Sequence, residues 1–343
     1  MKFPVRKSVD ALQPYVPGEQ PTDPEILKLN TNENPYPPSS AVQSALSEFP
    51  VELLRKYPDP ICSELRSAIG KIHKCGPEQV FVGNGSDEIL LLCIRAFVER
   101  DSVVGYFEPS YSLYPVLAAI ENVKTMAMPL GPEFEWVDPP LTGSSLFFIT
   151  NPNAPTGMLF PKRNIARFCG SYQGVVVVDE AYADFARENS LDVAGTLQNV
   201  IVTRSLSKSY SLAGLRLGYA IGAPELIAAL FKIKDSYNVD ALAQRIGLAA
   251  LRDQDYFRNV VEWTCATRER ISTALKERNY EVAPSEANFL WIRPTHLKAE
   301  ELFRYLRELK VLVRYFPGDV TGDYLRVSIG TDEEMDKFLT YLP

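Results

Sequence analysis

The sequence predicts an α/β protein: a large unit built on a mainly parallel, seven-stranded sheet covered by helices, followed by a small α+β unit. Two observations carry that expectation. Between residues 80 and 222, short runs rich in Val, Ile and Phe alternate with longer stretches of helical character, and near-continuous apolar runs mark strands buried on both faces. After residue 280 the pattern changes to strand, helix, strand, helix, which suits a second, smaller layer.

The elements follow in order. The first forty residues hold Pro4, Pro14, Pro17, Pro21, Pro24, Pro35, Pro37 and Pro38. That is too many prolines for a regular element, yet apolar residues punctuate them, so residues 1–40 read as an arm that docks on another surface. The large unit, residues 41–240, contains the strand candidates VFVG, SVVGYF, KTMAMPL, SLFFIT, GVVVVD, NVIVTR and RLGYAIG. From 223 to 280 three strongly helical stretches form a connector and an outer layer. The small unit, residues 241–343, takes in the long connecting helix and ends with YLRVSIGTDEEMDKFLTYL.

Composition narrows the function. The 343 residues are 46% hydrophobic and 23% charged, an ordinary globular balance. With 43 acidic against 36 basic residues the net charge is −7, which leaves no global electrostatic footprint for nucleic acid or an anionic membrane; an anionic ligand must be met by a local arginine cluster. Cysteines at 62, 75, 93, 169 and 265 form no CxxC pair, so neither a disulfide framework nor a zinc centre is expected and they read as reduced core residues. The two histidines, His73 and His296, are too few for a histidine-rich metal site and are expected at the surface. The N-terminal MKFPVRKSVDALQPYVPG lacks a signal-peptide core and no run reaches membrane-spanning length, so the expected location is the cytoplasm.

In open α/β sheets ligands gather beyond the carboxyl ends of the strands. After VFVG comes NGSDEILLL, where Gly85, Ser86 and Asp87 open a helix whose free N–H groups suit a phosphate, or are simply capped. After GVVVVD a carboxylate, Asp179, ends an apolar run, with Glu180 and Tyr182 behind it. Such a group needs a cationic or hydrogen-bonding partner, in a ligand or at a helix terminus. After SLFFIT the turn-rich NPNAPTG makes a tight loop. After NVIVTR comes SLSKSYSLAGLRLGY, with Lys208 among Ser205, Ser207, Ser209 and Ser211 and with Arg216 beyond. A helical lysine is usually solvated, but these serines lower helix propensity for no structural gain.

Together these strand ends ask for one ligand with a phosphate, a cation for Asp179 and an electrophile for Lys208. Pyridoxal 5′-phosphate has all three: an aldehyde that bonds an amine, a pyridinium nitrogen that pairs with a carboxylate, and a phosphate that takes serine, arginine and helix-terminus donors. A free lysine amine has a pKa of about 10.4; Arg216 and a partly desolvated site would lower it towards reactivity.

The same segments carry a family resemblance. SLSKSYSLAGLRLGY with VVVDEAYADF, NPNAPTG, GNGSDE and FEPSYSLYP resembles the fold type I aminotransferases, from about residue 12 to the C-terminus. LNTNENPYPPS and RKYPDP are most similar to the branch of that family acting on histidinol phosphate. The resemblance implies that Lys208 anchors the cofactor and moves the substrate proton, that Asp179 partners the pyridinium nitrogen, that Tyr182 bonds the ring's phenolic oxygen and that Tyr111 stacks on the ring. Ser205, Ser207, Arg216 and the backbone at Gly85, Ser86 and Asp87 would hold the phosphate, joined by Tyr57 from the neighbouring subunit of a homodimer.

On the substrate side, Arg326 matches the arginine that clamps a carboxylate in this family, expected here to serve the substrate phosphate and then glutamate; a guanidinium fork suits both. Arg314 is a candidate second phosphate ligand, or a strand-edge arginine. Tyr15, Asn32, Glu33 and Asn34 resemble positions lining the substrate pocket, Tyr15 of either subunit, with Glu33 suited to accept from an imidazole N–H; the arm could equally serve as a dimer strap. Where the family has Asn before PTG this chain has Ala154, so either Asn153 reaches in or Tyr182 carries that contact with less help. The implied reaction is a ping-pong transamination of histidinol phosphate with 2-oxoglutarate, giving imidazole-acetol phosphate and glutamate. An aromatic aminotransferase and a threonine-phosphate decarboxylase of the same fold are the alternatives, and a ligand-sensing regulator a more distant one.

Overall fold

The computed structural model describes residues 4–343. Its strands run in chain order as β1 (Leu27–Lys28), β2 (Val80–Gly83), β3 (Val103–Glu108), β4 (Lys124–Pro129), β5 (Leu146–Thr150), β6 (Val175–Asp179), β7 (Val200–Ser205), β8 (Gly218–Gly222), β9 (Glu281–Val282), β10 (Phe289–Arg293), β11 (Val311–Leu312), β12 (Arg314–Tyr315) and β13 (Leu325–Ser328). The seven expected runs are β2 to β8, and they form one sheet in the order β2-β8-β7-β6-β5-β3-β4. Neighbours pair in parallel, except that β8 is antiparallel to β7 and β2.

Apart from the largely exposed edge strand β4, these runs become strands because their side chains find a covering layer on both faces. Phe148, Val177 and Ile201 join Leu90 and Tyr114 on one face, while Phe147, Val176, Val178 and Val202 join Ile165 and Phe168 on the other. At the β2–β8 edge, Val80, Val82, Tyr219 and Ile221 pack on the helices Ser63–His73 and Ala241–Arg252. Each such buried side chain contributes about 1.5–3 kcal/mol, and a one-residue slip would exchange the two faces, so the register is firmly set.

Connectivity then places the site. The parallel strands all end at one edge, and β8, running the other way, begins there, with Gly218 beside both Gly83 and Ser205. Segments that follow β2, β5, β6 and β7 therefore meet the one that precedes β8.

The second sheet, in the order β12-β13-β10-β9, is antiparallel. Helices Ala299–Glu308 and Asp332–Tyr341 and one face of the long helix Gln254–Glu277 close over it, around Leu290, Ile292, Leu302, Val327 and Phe338. The arm returns to this layer: β1 pairs in parallel with β11, and Leu27 and Leu29 enter the same core. Among the described residues no helix is long and apolar enough to cross a membrane. All five cysteines are unpaired, three of them buried. His296 is exposed, but His73 corrects the expectation of a surface residue: it is half-buried with Nε2 2.7 Å from the Tyr219 hydroxyl, and burial pushes its pKa down to about 4. It continues the Leu65–Ile69 face at four-residue spacing, a periodicity the sequence carries.

Candidate active site

Beyond the strand ends lies a cavity of about 410 Å³, walled by those ends, by the arm and by β12 and β13. Successive strand residues face opposite ways, so β6 and the residue after it send Asp179 into the cavity and Glu180 behind it, and β7 sends Ser205 in and Arg204 behind. Asp179 is buried and its partners are neutral: it accepts from the Tyr114 hydroxyl (2.9 Å), the Ala181 N–H (3.3 Å) and the Thr203 hydroxyl (3.4 Å). Burial raises its pKa to about 6, against the lowering effect of the Tyr114 bond.

Behind the strands, Arg204 donates from Nε to Glu180 (2.9 Å) and from Nη1 to Asp184 (2.6 Å), and Asp184 accepts from the Ser209 hydroxyl (2.5 Å). One guanidinium thereby ties the Asp179–Tyr182 segment to the turn that bears Lys208. From that turn Lys208 projects Nζ into the cavity, donating to the Thr31 carbonyl (3.1 Å), while Asn34 Nδ2 donates to the Lys208 carbonyl (2.8 Å). Burial, helped by the nearby Arg326, pushes the lysine pKa down to about 8. The Tyr182 ring centre is 6.0 Å from Nζ; the ring stands edge-on to Phe289, and its oxygen accepts from Asn32 Nδ2 (3.0 Å). Burial raises the Tyr182 pKa.

At one end of the cavity Arg216, in a left-handed conformation (φ +55°), sets its guanidinium 3.1 Å from Asp87 Oδ2 and 3.5 Å from Ser207 Oγ. Gly85 (φ +80°) precedes the helix Ser86–Phe97, and its left-handed backbone calls for glycine. Asp87 also accepts from the Tyr111 hydroxyl (3.1 Å), whose ring meets those of Tyr15 and Tyr114 edge-on.

At the other end Arg326 lies between Phe289 and Phe316, 5.3 Å from each ring centre. It donates from Nη2 to the Asn30 carbonyl (3.1 Å) and buries Nε without a partner among the described residues. Burial lowers its pKa, but a guanidinium stays charged in any folded protein. Arg314 sits at the rim, donating to the Val16 carbonyl (2.9 Å) and the Pro17 carbonyl (3.2 Å). Glu33 is held by Lys28 and by the Thr31 hydroxyl (2.8 Å); burial would raise its pKa, but these bonds outweigh it and keep the carboxyl below its usual range.

A buried amine of lowered pKa, a buried carboxylate with no cation beside it among the described residues and arginines at both ends of one cavity are the parts of a site that handles amines and anions. The sequence model of class I and II aminotransferases matches residues 24–342. The chain belongs to this family. Histidinol-phosphate aminotransferase of Syntrophotalea carbinolica is 46% identical over 342 residues, covering 99% of this chain and 98% of the relative. That of Geotalea uraniireducens is 44% identical over 342 residues, covering 99% of each. The solved structure of histidinol-phosphate aminotransferase from Sinorhizobium meliloti, in complex with pyridoxal-5′-phosphate, has a TM-score of 0.88 at 23% identity and covers 100% of this chain and 97% of its own, a likeness of fold. The architecture is that of the fold type I transferases.

The residues expected around cofactor and substrate line this aminotransferase's cavity, with exceptions at Gly85, Asn34, Asn153 and Tyr57. Gly85 contributes backbone just behind the wall. Asn153 corrects an expectation: it does not reach in, because its Nδ2 donates to the Pro109 carbonyl (3.2 Å) and its Oδ1 accepts from the Thr156 hydroxyl (2.8 Å), leaving Ala154 to line the wall. Asn34 likewise is no pocket residue; its amide is spent on the backbone of Lys208 and of Tyr36. Tyr57 is 80% exposed and stacks on Tyr237 at 4.3 Å, away from the cavity of its own chain. Tyr15 lines the cavity of its own chain. Sequence reasoning missed Tyr114 and Phe316, although Tyr114 lies three residues after Tyr111 on the turn of a helix start, a spacing that could have paired them.

Proposed function

We propose that this chain transfers the amino group of L-histidinol phosphate to 2-oxoglutarate in two half-reactions, giving imidazole-acetol phosphate and glutamate, with pyridoxal 5′-phosphate as cofactor. The observation that carries the reading is the buried Asp179, hydrogen-bonded to neutral donors but in no ion pair among the described residues, facing the same cavity as the buried Lys208. Full-length relatives of the same name above 40% identity support the substrate.

The residues present fit the cofactor. Asp179 has no cationic partner among the described residues, and a protonated ring nitrogen would supply one. Ser110 Oγ and Arg326 Nε, in residues that line the cavity, are buried without partners among the described residues, donors left for an anionic ligand. Arg216, Ser205, Ser207 and the N–H groups at Ser86 and Asp87 would hold its phosphate. When bound, pyridoxal 5′-phosphate supplies an aldehyde for the lysine amine and an electron sink for Cα–H cleavage.

The chain's own groups do the rest. With a pKa of about 8, Lys208 Nζ is neutral in about a tenth of molecules at pH 7, against well under a thousandth for a free lysine; it both binds and moves the proton at Cα. Arg326, oriented by two aromatic faces, takes the substrate's anionic end and then the carboxylate of the second substrate. Arg314 and Glu33 guard the mouth beside Tyr15, where an imidazole ring and its N–H would be met by aromatic and carboxylate groups.

The chain works as a homodimer in this reading. Exposed Val51, Leu53, Leu54 and Tyr57 with Tyr237 make an apolar surface that suits a second copy, with Tyr57 offered to its phosphate site. The expected arm of residues 1–40, of which residues 1–3 lie outside the described residues, keeps that role here, but the expected boundary at residue 241 moves to the long helix Gln254–Glu277, because the helix Ala241–Arg252 packs in the core of the large sheet. The enzyme works in the cytoplasm. A coupled assay with histidinol phosphate and 2-oxoglutarate tests the activity, with tyrosine, phenylalanine and O-phosphothreonine as comparators. Faster turnover of any comparator would overturn the substrate assignment, and light scattering at the mass of one chain would overturn the dimer.

A further inference from the structure

Asn32 is 1% exposed and has a left-handed backbone, φ +56°, which asparagine tolerates better than most residues. Four bonds hold it. Its N–H donates to Ser328 Oγ (2.8 Å) and its carbonyl accepts from Asn288 Nδ2 (3.0 Å). Its Oδ1 accepts from Ser328 Oγ (3.1 Å), and its Nδ2 donates to the Tyr182 oxygen (3.0 Å). The Ser328 hydroxyl, which accepts from the backbone N–H, has its one proton left for Oδ1. The amide is therefore oriented, and Tyr182 faces an N–H.

A tyrosine oxygen that accepts on one side must direct its own proton elsewhere. Across the wall the Tyr182 ring packs with Ala154, Ala287 and Phe289, which offer no side-chain acceptor. The open direction is the cavity. The same arm segment grips the lysine, through the Thr31 carbonyl at Nζ and Asn34 at the Lys208 carbonyl.

We propose that Asn32 is a positioning residue and not a substrate contact: by donating to the Tyr182 oxygen it aims the Tyr182 O–H at the acceptor that occupies the cavity. This rests on the reading of Tyr182 as a hydroxyl that faces the cofactor. The donated bond also favours negative charge on that oxygen, opposing the effect of burial.

The test is a double-mutant cycle on the holoenzyme. Asn32→Gly removes the amide while keeping a residue at ease with positive φ, and Tyr182→Phe removes the hydroxyl. For each variant and the pair, kcat, KM for both substrates, melting temperature and the pH titration of bound-cofactor absorbance are measured. Asn32→Gly is expected to lower kcat about tenfold, the worth of one buried hydrogen bond, with KM within about twofold. It should move the absorbance midpoint in the same direction as Tyr182→Phe and add nothing in the Tyr182→Phe background. A raised KM at unchanged kcat, or additive losses in the double variant, overturns the proposal.

Asn32→Asp guards against poor folding of the glycine variant. It keeps size and backbone preference but replaces the donor with an acceptor, so kcat should fall at least as far; a normal kcat overturns the proposal. If Tyr182→Phe itself is silent in both kcat and absorbance, the role given to Tyr182 has failed and the proposal with it. If only the Asn32 variants are silent, the failure is that of Asn32 alone.

Discussion

Asp179, Ser205 and Ser207 reach the cavity from the ends of strands that are hydrogen-bonded on both sides, β6 between β5 and β7 and β7 between β6 and β8. Asn30 to Glu33 reach the same cavity from a segment whose only strand pairing among the described residues is the two-residue pairing of β1 with β11. The first group is positioned by backbone ladders and by apolar cover on two faces. The second is positioned by side chains, one bond at a time, to residues more than a hundred positions away: Ser328, Asn288, Tyr182 and Lys208. The groups proposed to react thus sit on or next to the strand ladders, and the part proposed to adjust their orientation comes from the less constrained chain.

The largest effect should come from the rigid side. Lys208→Ala is expected to cut kcat at least about 10³-fold, while far-UV circular dichroism stays near that of the parent, because the lysine side chain contributes one hydrogen bond to the arm and none to the ladders. Turnover within tenfold of the parent would remove the lysine from the chemistry and leave the comparison without its reactive member.

Next comes the network behind the strands. The Arg204 and Glu180 side chains are 4% and 0% exposed, and removing one partner leaves a buried charge uncompensated. Arg204→Met should therefore cost about 3–5 kcal/mol of stability, read from the midpoint of urea unfolding. Ser209→Ala keeps every charge and removes only the link from Asp184 to the lysine turn, so its stability loss should be much smaller. Equal losses in the two variants would show that the network holds the turn and not the sheet.

A pH series sharpens the contrast. The Lys208 pKa is about 8 in the fold against about 10.4 in the unfolded chain, so the unfolded state holds more protons between those values and stability rises with pH across that window. Asp179 runs the other way: at about 6 in the fold against about 3.9 unfolded, it favours the fold below that range and loses this contribution as pH climbs through 6. At pH 7 both groups are mostly charged and both are penalised by burial. Lys208→Met should then raise the melting temperature of the cofactor-free protein at pH 7, with the gain fading towards pH 10. A gain independent of pH would assign the effect to packing.

The same contrast explains what could be read from sequence. All seven strands of the large sheet were legible, six because burial on two faces writes a near-continuous apolar run, while the edge strand β4, largely exposed, shows only the alternation of KTMAMP. The place of Lys208, Asp179 and Arg216 on one cavity was legible because they follow or precede such runs, where topology leaves ligands room. Asn153 was not, since one residue's difference in a turn decides which side chain points outward. Arg204 and Glu180 were hidden by strand alternation, each beside a residue that drew attention to the opposite face. The partners of Asn32 and Asn34 leave no local signature at all: nothing near position 32 announces Ser328 or Tyr182.

The smallest effect should be on the exposed part of the arm. Glu19 accepts from Arg307 Nη1 (2.5 Å) and Nη2 (2.8 Å), with both side chains about half exposed, and Lys310 bridges Asp23 (3.1 Å) and Glu25 (2.6 Å) in the same way. Such pairs are screened by water and salt and must also order long side chains. Arg307→Ala should shift the melting temperature by less than about 2 °C. What it should change is local opening: limited proteolysis around residues 13–22 should quicken several-fold at low salt, and the difference from the parent should shrink as salt rises. The buried Asn32 bonds would keep the following residues in place, so kcat should hold. If Arg307→Ala instead lowered stability as far as Arg204→Met, the arm would be as firmly built as the strand ends, and the division of labour drawn from the two regions would fall.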